Sequence, residues 1–145
     1  MKALSSMVAV LAIFMISSLL AATGRTITQK DNDKIINLNI GDNLQINLPG
    51  NYTTGYQWVV INGYDDDVIK QEGKDEYQPE KTDLVGAGGT ATFTFKAVGT
   101  GRTDLNLEYK RSWEKNGDVP EDFEITIVVK KGKGTGKKTG LEQDS

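Results

Sequence analysis

Apolar and polar residues alternate with a period of two along most of the chain between residues 34 and 130. Successive side chains of a β-strand point to opposite faces, so this alternation predicts strands that bury one face and expose the other. Because helical periodicity is absent there, we expect an all-β protein. Seven segments carry the pattern, at residues 34–40, 43–48, 56–61, 68–73, 90–98, 103–110 and 123–129.

The same alternation predicts the residues of the core. Residues 56–61 form a more continuously apolar run, which is typical of a central strand, and we expect Trp58 within it to be buried. In five other segments every second residue is apolar or aromatic and is expected to point inward: Ile36, Leu38 and Ile40; Leu44, Ile46 and Leu48; Ala91, Phe93, Phe95 and Ala97; Leu105, Leu107 and Tyr109; Phe123, Ile125, Ile127 and Val129.

The number and spacing of these segments indicate the fold class. Seven short strands in about a hundred residues, separated by turn-forming pairs such as Gly41-Asp42 and Asn62-Gly63, predict a seven-stranded immunoglobulin-like antiparallel β-sandwich. Each strand of such a sandwich reverses direction, so alternate connections gather at the same end.

Three long connections fall together at one end of the predicted sandwich. We call them the first loop (residues 49–56), the second loop (residues 77–89) and the third loop (residues 110–122). The connections at the other end are short turns. Connections that exceed hairpin length are often functional, and three of them at one end are typical of a binding surface.

The two ends of the chain differ in composition from the middle. Lys2 precedes an uncharged apolar stretch over residues 7–22, which predicts a secretory signal peptide at residues 1–24. A retained membrane anchor is the alternative, but the stretch is short for a span and no basic cluster follows it. We therefore expect export to the periplasm, the extracellular medium or an endomembrane lumen, with no stable membrane insertion after signal cleavage.

The C-terminal segment at residues 131–145 is rich in Lys and Gly and lacks apolar periodicity. This composition is typical of a disordered tail. A single β-sandwich domain is therefore expected at residues 25–130.

Composition narrows the possible chemistry. The 145 residues include no Cys and no His, which excludes thiol nucleophiles, imidazole bases, disulfides and Cys/His zinc sites. No pair of carboxylates has a spacing that argues for glycosidase chemistry, so we expect no enzyme, no catalytic residues and no cofactor. The net charge of −3 gives no reason to expect nucleic acid. Asp65-Asp66-Asp67 resembles a calcium ligand set, but a solvated turn is the simpler interpretation, and we expect no metal.

Each of the three long loops carries a short motif. The motifs are Asn51-Tyr52-Thr53-Thr54-Gly55-Tyr56 followed by Trp58, then Gly86-Ala87-Gly88-Gly89, and finally Arg111-Ser112-Trp113. In this order they resemble the chagasin family of cysteine-protease inhibitors, whose motifs read Asn-Pro-Thr-Thr-Gly, Gly-x-Gly-Gly and Arg-Pro-Trp. The resemblance spans residues 33–129.

Tyr52 and Ser112 stand where the two family motifs have proline. Proline fixes φ and reduces the conformational entropy that a loop loses on docking. These two replacements therefore predict loops that are less pre-organised than the family pattern implies.

The resemblance implies a reversible, tight-binding inhibitor of papain-like cysteine proteases that acts as a monomer and occludes the active-site cleft. It places Thr53, Thr54 and Gly55 nearest the catalytic cysteine, the second-loop glycines along the unprimed side, and Arg111 and Trp113 over the primed side. The protease-binding residues that it implies are Asn51, Tyr52, Thr53, Thr54, Gly55, Tyr56, Gly86, Ala87, Gly88, Gly89, Arg111, Ser112 and Trp113.

Two further interpretations bear on the same loops. A non-inhibitory immunoglobulin-like module for adhesion or carbohydrate binding would use the same end of the sandwich and is the alternative function. Asn51-Tyr52-Thr53 also matches the N-glycosylation pattern, because Tyr52 replaces the proline that would forbid it. A glycan there would obstruct the cleft-binding surface, so we expect the site to be unmodified in an active inhibitor, and intact-mass analysis of native protein tests this.

Overall fold

A computed structural model of the protein describes residues 23–132. The predicted signal peptide and the Lys/Gly-rich tail therefore lie almost wholly outside the described residues. Among residues 23–132, no helix is long and apolar enough to span a bilayer.

The described chain folds into strands linked by turns and two short 3-10 helices, at Gln29–Asp31 and Tyr52–Thr54. The strands are β1 (Gly24–Thr28), β2 (Ile35–Asn39), β3 (Asn43–Gly50), β4 (Gln57–Ile61), β5 (Ile69–Gln71), β6 (Glu76–Pro79), β7 (Gly89–Ala97), β8 (Gly101–Lys110) and β9 (Glu121–Lys130).

The strands form two sheets that enclose one core. One sheet has the order β1-β3-β7-β5, with β6 also paired to β7, and the other has the order β2-β9-β8-β4. β1 pairs with β3, and β2 with β9, in parallel, whereas the other pairings are antiparallel. The prediction of a β-sandwich is confirmed, but both sheets are mixed and not purely antiparallel.

All seven predicted strands are present, and two further strands, β1 and β6, were not predicted. Each of these short strands lacks a run of alternating apolar residues. β1 buries only Ile27, and it is held in the sheet by its parallel pairing with β3. β6 lies at a sheet edge, contains Pro79 and contributes only the partly buried Tyr77 to the core. The strand count of seven was therefore too low. The expectation of a central strand at residues 56–61 was also wrong, because within residues 23–132 β4 lies at the edge of its sheet and pairs only with β8.

The predicted inward residues form the core with one clear exception. Trp58 is only 2% exposed, and its indole Nε1 donates to the Pro49 carbonyl at 2.9 Å. Ile40 was predicted to point inward but is exposed, because β2 ends at Asn39 and Ile40 begins the turn to β3. The largest fully buried side chains are Trp58, Phe93, Phe95 and Phe123.

Strand register determines how the three loops meet. In the β3–β7 pair, Gly50 lies opposite Gly89, which sets the first loop beside the second. In the β4–β8 pair, Gln57 lies opposite Lys110, which sets the first loop beside the third. The first loop therefore lies between the other two.

Candidate functional site

Hydrogen bonds join the three loops into one surface. The Asn51 Nδ2 amide donates to the Gly86 carbonyl at 2.8 Å and thereby links the first loop to the second. The Arg111 Nε and Nη2 groups both donate to the Thr54 carbonyl, at 3.2 and 3.1 Å, and link the third loop to the first. The expected gathering of these loops at one end is thus seen in the structure.

The centre of this surface is a single turn of 3-10 helix at Tyr52–Thr54, capped at both ends. Asn51 is the N-cap, and its side-chain Oδ1 accepts from the Thr53 amide at 3.2 Å and from the Thr53 hydroxyl at 2.6 Å. Gly55 is the C-cap at φ 85°, a left-handed conformation that favours glycine. The capped turn presents Thr53 and Thr54 to solvent.

The two exposed threonines have limited hydrogen-bonding freedom. The Thr53 hydroxyl donates to Asn51 Oδ1, and the Thr54 hydroxyl donates to the Asn51 carbonyl at 2.7 Å. A hydroxyl has a single proton to donate but two acceptor lone pairs. Toward a bound partner, both threonines can therefore act as small, uncharged hydrogen-bond acceptors.

Gly55 supports the exposed tryptophan of the third loop. A Cβ atom on Gly55 would lie only 2.5 Å from Cη2 of Trp113, so a larger residue would displace the indole. The other side of Trp113 is open, and the residue is 66% exposed. Trp113 is thus exposed, as a residue implied to contact a protease must be, and the glycine is explained by a contact within the molecule as well as by its positive φ.

Arg111 connects the third loop to the first by two kinds of contact and also pairs with Glu114 within the third loop. Besides its two bonds to Thr54, its guanidinium carbon lies 4.5 Å from the ring centroid of Tyr56, and its Nη1 lies 3.3 Å from Oε1 of Glu114. A cation–π contact at an exposed site is worth about 0.5–1 kcal/mol. The predicted partner-facing residues Arg111 and Tyr56 thus also position the first loop.

The side chain of Tyr52 points from the first loop toward the core. Its ring stacks on the ring of Tyr77 with centroids 3.9 Å apart and an interplanar angle of 5°. Its hydroxyl accepts a hydrogen bond from the backbone amide of Trp58 at 3.2 Å. Burial raises the pKa of the Tyr52 phenol above its usual value, and the bond from the Trp58 amide partly opposes that shift.

The second loop extends the β6–β7 hairpin and ends in a glycine-rich tip. The Glu80 amide donates to the Gly88 carbonyl at 2.9 Å, which continues the ladder beyond both strands. Gly86 has φ 80° with open space around it. Gly89 lies under Tyr77, and a Cβ atom there would come within 2.7 Å of Cζ of that ring. Gly89 is therefore required for packing inside the hairpin.

Sequence reasoning missed the exposed apolar residues of the second loop. Leu84 is 75% exposed and Val85 is fully exposed, next to the tip glycines. Of seven large hydrophobic residues exposed in residues 23–132, four lie on the second and third loops: Leu84, Val85, Trp113 and Val119. Contiguous exposed apolar residues can mark an interaction site, and Leu84 and Val85 are adjacent in sequence. The sequence signal that could have identified these residues is the presence of two adjacent apolar residues in an otherwise polar loop.

The remaining predicted residues lie on the same end of the sandwich. Ser112 is exposed beside Trp113, and Ala87 and Gly88 are partly buried in the second loop. The carboxylates of Asp65, Asp66 and Asp67 approach within 4.8 Å of one another in the β4–β5 connection, at the opposite end. They take no part in the loop surface.

Comparison with known proteins identifies related chains. The sequence model of the chagasin family of peptidase inhibitors matches residues 37–127. Chagasin of Trypanosoma cruzi is 33% identical over 107 residues, covering 70% of this chain and 94% of chagasin. Amoebiasin-1 of Entamoeba histolytica is 32% identical over 104 residues, covering 72% and 96%. The crystal structure of a cysteine protease inhibitor from Entamoeba histolytica shares the fold, with TM-score 0.66 and 24% identity over 74% of this chain and 96% of that one.

Proposed function

This chain belongs to the chagasin family of peptidase inhibitors, and we propose that it inhibits papain-like cysteine proteases by inserting its three loops into the active-site cleft. The observation that carries the proposal is the joining of three motif-bearing loops into one exposed surface by the Asn51–Gly86 and Arg111–Thr54 hydrogen bonds.

The first loop would enter deepest, above the catalytic cysteine and histidine of the protease. Thr53 and Thr54 are small and uncharged, and their hydroxyls can accept from donor groups such as a protonated imidazole. Because inhibition of this kind forms and breaks no covalent bond, it is steric and reversible.

The second loop suits the unprimed side of the cleft. Its hairpin is extended by the Glu80–Gly88 hydrogen bond, and an extended segment can offer backbone groups to an enzyme wall. Gly86, Ala87 and Gly88 let that backbone approach closely, since they present little side-chain bulk. The exposed Leu84 and Val85 add apolar surface next to this backbone.

The third loop suits the primed side and supplies an aromatic anchor. Trp113 is supported from below by Gly55 and is exposed above, so its position is set before binding. A tryptophan that fills a pocket at an interface contributes about 2 kcal/mol or more. The bonds that hold the loops in the free protein also reduce the entropy lost on docking, which favours tight binding.

The proposal includes export and a monomeric state. The positive Lys2 and the apolar residues 7–22 support a cleaved secretory signal. A monomeric state suits the proposed function, because the three-loop surface must be uncovered to enter a narrow cleft. Analytical ultracentrifugation of the secreted protein, together with N-terminal sequencing, tests both points.

Titration of papain with the chain from Thr23 onward tests the proposed function. The predicted result is a stoichiometric loss of peptidase activity, with the inhibitor recovered at intact mass. The matched control is Asp66→Asn, at the opposite end of the sandwich, which should titrate like the unaltered chain. Lack of inhibition of papain and of a panel of cathepsin-type proteases at micromolar concentration would contradict the proposal.

A further inference from the structure

The side chain of Tyr52 faces into the molecule although its backbone lies in the exposed first loop. Its ring is stacked on Tyr77, a residue of β6, and both rings pack against the core. A parallel stack at 3.9 Å leaves one face of the Tyr52 ring fully covered by the Tyr77 ring. A partner that approaches Thr53 and Thr54 from solvent therefore meets the turn before it meets the Tyr52 ring.

The hydroxyl of Tyr52 joins the exposed turn to the rigid sheet. It accepts from the Trp58 amide at 3.2 Å, and Trp58 is itself fixed by burial and by its bond to Pro49. The Tyr52 side chain thus links the start of the turn to β4, the strand that follows the first loop. Both ends of the loop are tied together through one aromatic ring.

Two more tyrosine hydroxyls bind the backbone that leads into the turn. The Tyr109 hydroxyl accepts from the Asn51 amide at 2.8 Å and donates to the Asn51 carbonyl at 3.1 Å. The Tyr77 hydroxyl donates to the Gly50 carbonyl at 3.2 Å and lies 3.4 Å from the Tyr52 amide. The entry into the turn is therefore held by side chains from β6 and β8.

The backbone at this position also accepts a proline. Tyr52 is the first residue of the 3-10 helix, where the amide is not needed for helical bonding. A proline there would lose only the long hydrogen bond from this amide to the Tyr77 hydroxyl, at 3.4 Å. Asn51 has φ −118° and ψ 93°, an extended conformation that is allowed before proline. Tyrosine and proline can therefore support the same turn by different means.

We propose that Tyr52 is a positioning residue, which holds Thr53 and Thr54 in their binding geometry through its contacts with Tyr77 and Trp58. In this role a tertiary stack and one hydrogen bond replace the restriction that a proline ring would place on φ. Although the loss of the motif proline predicted a less pre-organised first loop, we now expect this loop to be held in place by the contacts of the Tyr52 ring. This inference rests on the proposed function only for its inhibition readout.

Three substitutions at Tyr52 separate positioning from direct contact. Tyr52→Ala removes the stack and the hydrogen bond and is expected to raise the papain inhibition constant at least tenfold. Tyr52→Phe keeps the stack and loses only the bond from Trp58, so an intermediate rise of about threefold is expected. Tyr52→Pro removes the ring but restricts φ, and the inhibition constant should return to within about threefold of the unaltered chain.

Amide hydrogen exchange in the free protein provides a readout that needs no protease. The Trp58 amide should exchange faster in Tyr52→Phe and Tyr52→Ala, because its acceptor is lost. The Thr54 amide, which donates to Asn51 within the turn, should exchange faster in Tyr52→Ala than in Tyr52→Pro. Tyr64→Ala is the matched control, since Tyr64 is also partly buried and packs on Phe95 at the opposite end. It should leave loop exchange and inhibition unchanged.

The inference has clear contrary outcomes. If Tyr52→Pro inhibits as poorly as Tyr52→Ala while its Thr54 amide stays protected, the ring contacts the protease directly and positioning is wrong. Unchanged exchange and unchanged inhibition in Tyr52→Ala would also overturn it. If the unaltered chain inhibits no papain-like protease, the proposed function fails, and the exchange measurements still support or contradict positioning by Tyr52.

Discussion

The interior of the sandwich and its three-loop end are held together by different interactions. The interior is a continuous set of apolar side chains from both sheets, with Trp58, Phe93, Phe95 and Phe123 as its largest members. The loop end instead relies on hydrogen bonds from side chains to backbone, such as Asn51 to Gly86, and on a few aromatic contacts, such as the stack of Tyr52 on Tyr77. Burial of apolar area stabilises the fold, whereas the polar bonds fix the geometry of exposed groups.

This difference separates stability from binding. A substitution in the interior should lower the free energy of unfolding and affect inhibition only through folding. A substitution at the loop end should weaken inhibition and leave unfolding nearly unchanged. The glycines that lie under aromatic rings, Gly55 and Gly89, connect the two regions because a side chain there would disturb packing.

The largest effect is expected for Trp58→Ala. The residue is 2% exposed and fills the core between β4 and the first loop, so its loss should reduce the free energy of unfolding by about 3–5 kcal/mol. Urea unfolding followed by circular dichroism measures the change. An unaltered unfolding midpoint would place Trp58 outside the stabilising core.

Trp113→Ala is the counterpart on the surface. Its removal should weaken papain inhibition by about 2 kcal/mol, or roughly thirtyfold, because an interface anchor is lost. Its unfolding midpoint should match that of the unaltered chain, since the residue is 66% exposed. A variant that unfolds would show that the third loop belongs to the core.

Gly55→Ala should disturb the surface through packing and backbone strain. The new Cβ would meet the Trp113 ring and the residue would keep a positive φ, so we expect inhibition about tenfold weaker. Gly41→Ala is the matched control, because Gly41 has φ 94° with open space in the β2–β3 turn. It should show a similar small loss of stability and normal inhibition. Equal inhibition by both variants would argue against the Trp113 contact.

Arg111→Lys tests the smallest effect. Lysine keeps the charge but cannot make the paired bonds to the Thr54 carbonyl, so a loss of about 1 kcal/mol, or roughly fivefold in the inhibition constant, is expected. The measurement is inhibition at two salt concentrations. If the variant inhibits papain as strongly as the unaltered chain at both salt concentrations, Arg111 contributes its charge and not the geometry of its paired hydrogen bonds.

Local sequence pattern was sufficient for the interior and for the placement of the loops. The period-two alternation depends on neighbouring residues, and it identified seven strands and the burial of Trp58. The parallel pairings of β1 with β3 and of β2 with β9 were not predicted, because the alternation within a strand does not indicate which strand lies beside it. The exposure of Ile40 was missed because strand ends are set by turn geometry.

The organisation of the loop end depends on contacts between distant residues. Arg111 bonds Thr54 across 57 positions of sequence, and Tyr52 stacks on Tyr77 of an unpredicted strand. The motifs indicated which loops form the exposed surface, but they did not indicate which side chains face solvent and which hold the loops. The inward orientation of Tyr52 is the clearest case, since its position alone suggested an exposed residue.

The central claim is that three loops, held together before binding, enter the cleft of a papain-like protease. Hydrogen–deuterium exchange of the chain with and without papain tests it most directly. The account predicts protection at residues 51–56, 84–88 and 111–113, none at residues 65–67, and no protection when the papain cysteine carries a bulky peptidyl adduct. Protection that is confined to the other end of the sandwich, or that persists with the blocked protease, would contradict it.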